Sequence, residues 1–166
     1  MSGLTPPSLS EANLTKLFRE VPSSATRWRL FRVLDANLNR AREGLRVCEE
    51  VARLVLDDAA LTRRCQRLRY SVDRAAALLP GPQLLQARDS RSDVGRPALR
   101  GVARRHRRVQ DLVAANLKRV QEALRVLEEF SRLVKPSAGR AFGALRFKAY
   151  SLEQAFHTKR ETVRHR

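Results

Sequence analysis

The sequence predicts an all-α protein: a four-helix bundle made of two tandem helical hairpins joined by one long crossover loop. Apolar residues recur at spacings of three and four over four long stretches, which is the period of a helix that packs on one side. No segment alternates apolar and polar residues for long enough to indicate a strand. A 20-residue segment occurs twice, and two copies of one hairpin can bury each other's apolar faces.

The helices are separated by residues that favour breaks. Asp57-Asp58 favour a break and a new helix start, and Pro80 ends the second helix. Residues 80–103 are rich in Pro, Gly, Asp and Ser and predict an irregular connection. Pro136 is expected to stop the third helix. The four helices are predicted over residues 30–56, 59–79, 109–134 and 139–157.

Three segments are expected along the chain. Residues 1–28 contain two adjacent prolines and several serines, and we expect a partly disordered N-terminal extension there. Residues 29–160 form the duplicated helical-hairpin domain, and residues 161–166 form a basic tail.

The repeat is the strongest signal in the sequence. Residues 36–55 return as residues 115–134 without a gap, at an offset of 79 and with 13 identities in 20 positions. The helices that follow also correspond, with Leu68-Arg69-Tyr70 matching Leu145-Arg146-Phe147. A bias toward Arg, Glu and Leu explains a few matches but not thirteen, so we predict an internal duplication.

The charge and composition limit the classes of partner. The net charge of +17 attracts nucleic acid, acidic membranes or phosphorylated small molecules. Much of the arginine stands beside glutamate at helical spacing, where it typically forms a solvated surface, and the one dense basic cluster is 104–108. There is no apolar run of about 18 residues and no signal-peptide pattern at the N-terminus, so we expect a cytoplasmic protein without a membrane span. Cys48 and Cys65 have no metal-ligand spacing and are predicted to be buried free thiols.

Polar residues lie on or beside the apolar stripe of the repeated helix. At about 100° per residue, one asparagine of each copy falls within the stripe, an arginine lies at its edge, and a glutamate lies just beyond. These residues are Asn37, Arg40 and Glu43 in the first copy, and Asn116, Arg119 and Glu122 in the second. A second set, Arg42, Arg46, Glu49 and Arg53, is expected to point toward water.

Two interpretations of the inward polar set remain open. In one, the six side chains form an internal network that fixes the packing of the helices. In the other, two facing copies bring them into one binding region. Arg40 and Arg119 then donate bidentate hydrogen bonds to a phosphate, while Asn37 and Asn116 bind the edge of a heterocycle.

The crossover loop is the second candidate site. Its segment 88–95 places two carboxylates, Asp89 and Asp93, beside arginines and the turn residue Gly95. Magnesium prefers one or two carboxylates together with substrate phosphates, so these aspartates are candidate metal ligands. Aspartates in loops also serve as turn formers and helix caps. There is no phosphate-binding G-x-x-x-x-G-K-[ST] or G-x-G-x-x-G motif, so any catalysis has to use arginine, carboxylate and metal.

Three segments together resemble a known family. The stretch 34–47, the loop with Arg88-Asp89 and Asp93-Val94-Gly95, and the stretch 113–125 are similar to the helical domain at the N-terminus of some bacterial thiamine-phosphate synthases. That domain also occurs alone and has been proposed as an alternative hydroxymethylpyrimidine-phosphate kinase. The resemblance covers residues 30–158.

The resemblance implies an enzyme of the pyrimidine branch of thiamine biosynthesis that uses ATP and Mg²⁺. Arg40, Arg119 and Arg88 would hold phosphates beside Gly95, with Asp89 and Asp93 as catalytic metal ligands. Asn37, Asn116, Glu43 and Glu122 would orient the pyrimidine. One alternative is a non-catalytic partner of thiamine-phosphate synthase that binds its substrate, and the other is a basic helical nucleic-acid-binding protein. A second copy of the chain is a further candidate partner.

Overall fold

The computed structural model describes residues 24–91, 93, 94 and 106–164, and within them every regular element is helical. The expectation of disorder in the N-terminal extension falls mainly on residues 1–23, outside this described part. The elements are α1 (Ser24–Glu50), a π-helical turn (Val51–Val55), α2 (Ala59–Ala76), α3 (Gly81–Gln86), α4 (Val109–Arg132) and α5 (Pro136–Arg164). None of the described helices has the length and hydropathy that a membrane-spanning helix needs.

The predicted all-α bundle is confirmed. The helix α1 packs against α2 and α4, and α5 packs against the same two helices, so the four long helices surround one core. The fully buried side chains at the centre are mainly leucines from the repeated helices, together with Phe142 of α5. Burial of these apolar side chains is the main stabilising contribution to the fold.

The turn of the first hairpin is built by two aspartates. Asp57 adopts a left-handed backbone conformation with φ of 47°, which aspartate tolerates better than most residues. The carboxylate of Asp58 caps α2 by accepting hydrogen bonds from the backbone N–H groups of Ala60 and Leu61, at 3.0 and 2.9 Å. The predicted break at these residues is therefore correct.

Two element boundaries differ from the sequence prediction. Residues 81–86 form the short helix α3 rather than irregular chain, because proline is compatible with a first helical turn and Leu84 packs into the core. Pro136 is likewise compatible with a first helical turn, so the last helix, α5, begins at Pro136 and not at the predicted Gly139. The first and last helices are longer than predicted, since α1 starts at Ser24 and α5 continues to Arg164.

The helices α1 and α4 run antiparallel and approach closely. A Cβ atom on Gly44 would lie 2.7 Å from Val120 Cγ2 and 3.0 Å from the Asn116 carbonyl oxygen, so glycine is needed for this contact. One turn further along α1, the Cys48 sulfur lies 3.9 Å from the carbonyl oxygen of Val113. Residue numbers thus rise along α1 as they fall along the facing part of α4, which fixes the relative positions of the repeated residues.

Candidate functional site

Each copy of the repeat contains the same asparagine–arginine pair. Asn37 is 5% exposed, donates to the Val33 carbonyl oxygen at 2.8 Å, and accepts from Arg40 Nη1 at 3.3 Å. In the second copy, Asn116 is 4% exposed and donates to the Leu112 carbonyl oxygen at 2.8 Å. Its side-chain oxygen accepts from Arg119 Nη1 at 3.0 Å. A buried asparagine tied to its own helix therefore holds each arginine in place.

The register of α1 against α4 brings the two arginines close together along the bundle. Gly44 faces the stretch between Asn116 and Val120, so Arg40 and Arg119 lie within about one helical turn of each other. Asn37 and Asn116 are further apart, by about 10 Å or more along the axis at 1.5 Å per residue. The six predicted residues thus do not form one buried cluster.

Four of the six residues are exposed on the outside of this helix pair: Arg40, Glu43, Arg119 and Glu122. We call this surface the outer groove. Within the described residues, no ion pair involves either arginine, and no hydrogen bond or ion pair involves either glutamate. Most other arginines of the repeats are ion-paired, as in Arg42 with Asp73 at 2.7 Å. The guanidinium donors that the asparagines leave unused are therefore accessible to an anion.

The start of the crossover is attached to a different side of α1. Arg88 donates to both carboxylate oxygens of Asp35, each at 2.8 Å, and this pairing raises the pKa of the Arg88 guanidinium. Arg32 donates to the Asp89 carbonyl oxygen at 2.8 Å. Positions 35 and 40 of a helix differ by about 140°, so this attachment and Arg40 lie on separate sides of α1.

The remaining loop residues complete this second group. The Asp89 carboxylate accepts from the Arg91 backbone N–H at 3.2 Å, and Asp93 is exposed. Gly95 lies outside the described residues. Among the described residues no group of three His, Cys, Asp or Glu side chains forms a metal site. Mg²⁺ needs only one or two protein carboxylates when substrate phosphates supply its other oxygen ligands. The role of Asp89 and Asp93 as metal ligands stays a prediction.

Sequence reasoning missed several polar contacts. Asp35 was given no role, although it is the residue that fixes the crossover to α1. Glu49 does not point toward water as predicted, because α2 packs over it: it is 2% exposed and accepts from Arg69 at 3.0 Å and Gln66 at 3.2 Å. Its counterpart Glu128 accepts from Arg146 at 3.0 Å. The sequence did contain a signal for this contact, because Arg69 and Arg146 occupy matching positions in the two copies.

Corresponding polar contacts occur in the two hairpins. The Asn–Arg pairs and the Glu–Arg pairs recur with the same atoms at corresponding positions. Arg69 also lies over the ring of Tyr70 at 4.7 Å, as Arg146 does over Phe147 at 5.0 Å. The two hairpins thus share local geometry as well as sequence.

An apolar cavity of about 210 Å³ lies at one end of the bundle. Its walls come from the start of α4, the C-terminal part of α5 and the π-helical turn. The apolar lining includes Val113, Ala114, Leu117 and Phe156, and the polar lining consists of Gln110, Glu153, His157 and Lys159, of which Lys159 is paired with Asp58. None of the site residues predicted from the sequence lines this cavity.

Comparison with known proteins identifies relatives over most of the described bundle. The profile of the ThiD2 family matches residues 32–155. The thiamine-phosphate synthase of Nostoc punctiforme is 41% identical over 124 residues, which are 75% of this chain and 34% of that protein. The protein of the same name from Synechocystis is 45% identical over 124 residues, 74% of this chain and 34% of its own length.

A more distant relative with the same name, from Rhodopirellula baltica, is 34% identical over 122 residues, 74% of this chain and 32% of that protein. The chain thus spans about a third of the length of the curated relatives it matches. No solved structure matches it significantly. The profile match and the identities show that this chain belongs to the ThiD2 family.

Proposed function

We propose that this protein acts in thiamine biosynthesis and phosphorylates hydroxymethylpyrimidine phosphate at the outer groove. Its relatives are thiamine-phosphate synthases that contain a matching region as about a third of their length. The observation that carries the proposal is the pair Arg40 and Arg119. Each is oriented by a buried asparagine, and neither is neutralised by a carboxylate within the described residues.

The groove suits a phosphorylated substrate by the hydrogen-bond donors of its two unpaired guanidinium groups. A guanidinium presents planar donors that match two phosphate oxygens, and each asparagine uses only part of them. In the proposed reaction, a phosphate oxygen of the pyrimidine attacks the γ-phosphorus of ATP, and the bond to ADP breaks. Bound Mg²⁺ would neutralise phosphate charge. Asp89 and Asp93 stay its predicted ligands, although the crossover that carries them is attached to a different side of α1 from Arg40. Arg40 and Arg119 would hold the substrate phosphate in line.

A phosphoryl-transfer assay tests this function. The purified chain is incubated with hydroxymethylpyrimidine phosphate, ATP and Mg²⁺, and formation of the diphosphate ester is followed by chromatography. Arg40→Ala and Arg119→Ala should each reduce kcat/KM at least tenfold, since a charge-assisted hydrogen bond contributes about 1.5–3 kcal/mol. Arg63→Ala removes an exposed arginine of α2 and is the matched control. If the wild-type protein forms no diphosphate ester, the proposed kinase activity is contradicted.

A non-catalytic partner of thiamine-phosphate synthase is the second candidate. It is favoured by the fact that the matching region forms part of longer proteins with that name. Binding of the pyrimidine phosphate without turnover, lost in Arg40→Ala but retained in Arg63→Ala, would support it.

The nucleic-acid alternative rests on the net charge of +17. It requires DNA or RNA binding that weakens steeply with salt and is indifferent to the pyrimidine.

A further inference from the structure

The cavity at the end of the bundle is separate from the outer groove. It is lined by Val113, Ala114 and Leu117 of α4 on the side that faces α5. At about 100° per residue, Arg119 is about 160° around the helix from Leu117 and about 120° from Val113. A ligand in the cavity would therefore lie across α4 from Arg119 and would not contact it.

The two repeats explain why a cavity is present at this place. Ala114 corresponds to Asp35 at the offset of 79. In the first repeat this position is covered, because α3 folds back on α1 with Leu84 and Ala87 buried, and Arg88 binds Asp35. In the second repeat α5 continues as a helix to Arg164. The cavity is thus the counterpart of a position that α3 occupies in the first hairpin.

One wall of the cavity contains a carboxylate that lacks a cation. Glu153 is half-buried and accepts from Gln121 at 2.7 Å, and no ion pair among the described residues involves it. Asp35, Asp58, Asp73, Glu49 and Glu128, by contrast, are all paired with arginine or lysine. In a chain with 34 basic and 17 acidic residues, an unpaired half-buried carboxylate marks a place for a donor from a ligand.

We infer that the cavity is a second binding site, which takes one small heteroaromatic ring with an amino group. The volume of about 210 Å³ is below that of typical drug-sized sites and admits a single ring. The apolar walls bury the faces of the ring beside Phe156, and the amino group donates to Glu153. The choice of a pyrimidine as the test ring rests on the proposed function, whereas the site itself does not.

The test uses unphosphorylated 4-amino-5-hydroxymethyl-2-methylpyrimidine and the same ring without its amino group, with binding measured by calorimetry on the full chain. Ala114 is exposed, so Ala114→Phe fills the cavity without disturbing the core and should weaken binding of the amino ring at least tenfold. Ala144→Phe, at an exposed position of α5 away from the cavity, should leave it unchanged. Glu153→Gln should weaken binding of the amino ring by about tenfold and should leave binding of the ring that lacks the amino group unchanged.

The two proposals fail independently. Arg40→Ala and Arg119→Ala should leave affinity for the unphosphorylated ring unchanged, while each reduces kcat/KM for phosphoryl transfer at least tenfold. If the wild type shows no phosphoryl transfer but binds the amino ring, the proposed kinase function is contradicted and the proposed cavity site stands. If wild type does not bind the amino ring, or if Ala114→Phe and Glu153→Gln bind it as wild type does, the cavity site is overturned.

Discussion

Glu128 illustrates how single residues hold this basic molecule together. Its side chain is 8% exposed and accepts from Arg132 at 2.6 Å and from Arg146 at 3.0 Å. Burial alone would raise the pKa of Glu128, but the hydrogen bond and charge of Arg146 and the charges of Arg132 and Arg125 lower it overall. The carboxylate is thus ionised in the fold, and its loss leaves Arg146 without a paired carboxylate among the described residues, whereas Arg125 and Arg132 keep Glu129.

We expect Glu128→Gln to destabilise the protein by about 2–3 kcal/mol, because it breaks a buried ion pair. Glu129→Gln removes a neighbouring carboxylate that is 41% exposed, and should change stability by less than about 0.5 kcal/mol. Urea denaturation at pH 7 measures both. Because the folded pKa is depressed, the stabilisation is present above the unfolded value of about 4.3 and is lost as pH falls through the folded pKa. The difference between wild type and Glu128→Gln should therefore shrink below about pH 4, and a difference that grows in acid would contradict this role.

The two cysteines are buried free thiols, as the sequence predicts. Burial, with a smaller effect of Cys65, raises the pKa of Cys48 to about 12. Burial, with a smaller effect of Glu49, raises that of Cys65 to about 12 as well. The thiolate is the reactive form, and at pH 8 these thiols are protonated and buried. The native protein should therefore react with a thiol reagent only as fast as local unfolding exposes the cysteines. Urea should release both thiols, and Ser151→Cys, at an exposed position, should react at once. Rapid reaction of both native thiols would contradict their burial.

Residue-level prediction succeeded where position on a helix decides burial. Asn37 and Asn116 lie inward, as the helical period predicts. Arg40 and Arg119 were predicted at the edge of the apolar stripe, as part of an inward polar set, and they are exposed instead. The prediction was also wrong for Glu49, because the period identifies the side of a helix but not which neighbouring helix covers it. The pairing of Arg88 with Asp35 depends on a contact between residues 53 positions apart, which periodicity does not report.

At the scale of elements, the contact between α1 and α4 sets the geometry of the outer groove. Gly44→Ala should destabilise the protein by about 1–3 kcal/mol despite the higher helix propensity of alanine, because the new Cβ meets a backbone oxygen that cannot rotate away. Gly81→Ala is the control, since a Cβ there has no atom within 4 Å. Thermal unfolding compares the two variants. Equal melting temperatures would show that the helices separate without cost and that the register is less fixed than the contact indicates.

Element boundaries were less predictable than element type. The four long helices follow from periodicity, but Pro82 and Pro136 were interpreted as breaks although proline also begins helices. The short helix α3 depends on Leu84 finding a place in the core, and the described part of the second hairpin has no matching helix beside the cavity. Such a difference between repeats depends on tertiary packing, so the sequence repeat alone could not predict it.

At the scale of the whole molecule, the bundle exists because two hairpins share one core. The buried leucines of α1, such as Leu45, and those of α4, such as Leu124, belong to one cluster. Each hairpin alone would expose this surface, and most of the stability of helices in proteins comes from packing of their apolar face rather than from helix propensity. The sequence predicts this dependence directly, since the repeat supplies two apolar faces and no third element large enough to cover either.

We therefore expect residues 24–91 and 106–164, produced as separate chains, to show low helicity and no cooperative thermal transition by circular dichroism. Mixing them should restore helicity, because each half supplies the apolar surface that the other needs. Gly44→Ala in the first half should weaken this association, whereas Gly81→Ala should not, since only the former alters the contact between α1 and α4. A cooperative transition in either half alone would mean that one hairpin is an independent folding unit. The outer groove, which needs one helix from each half, should bind pyrimidine phosphate only in the mixture.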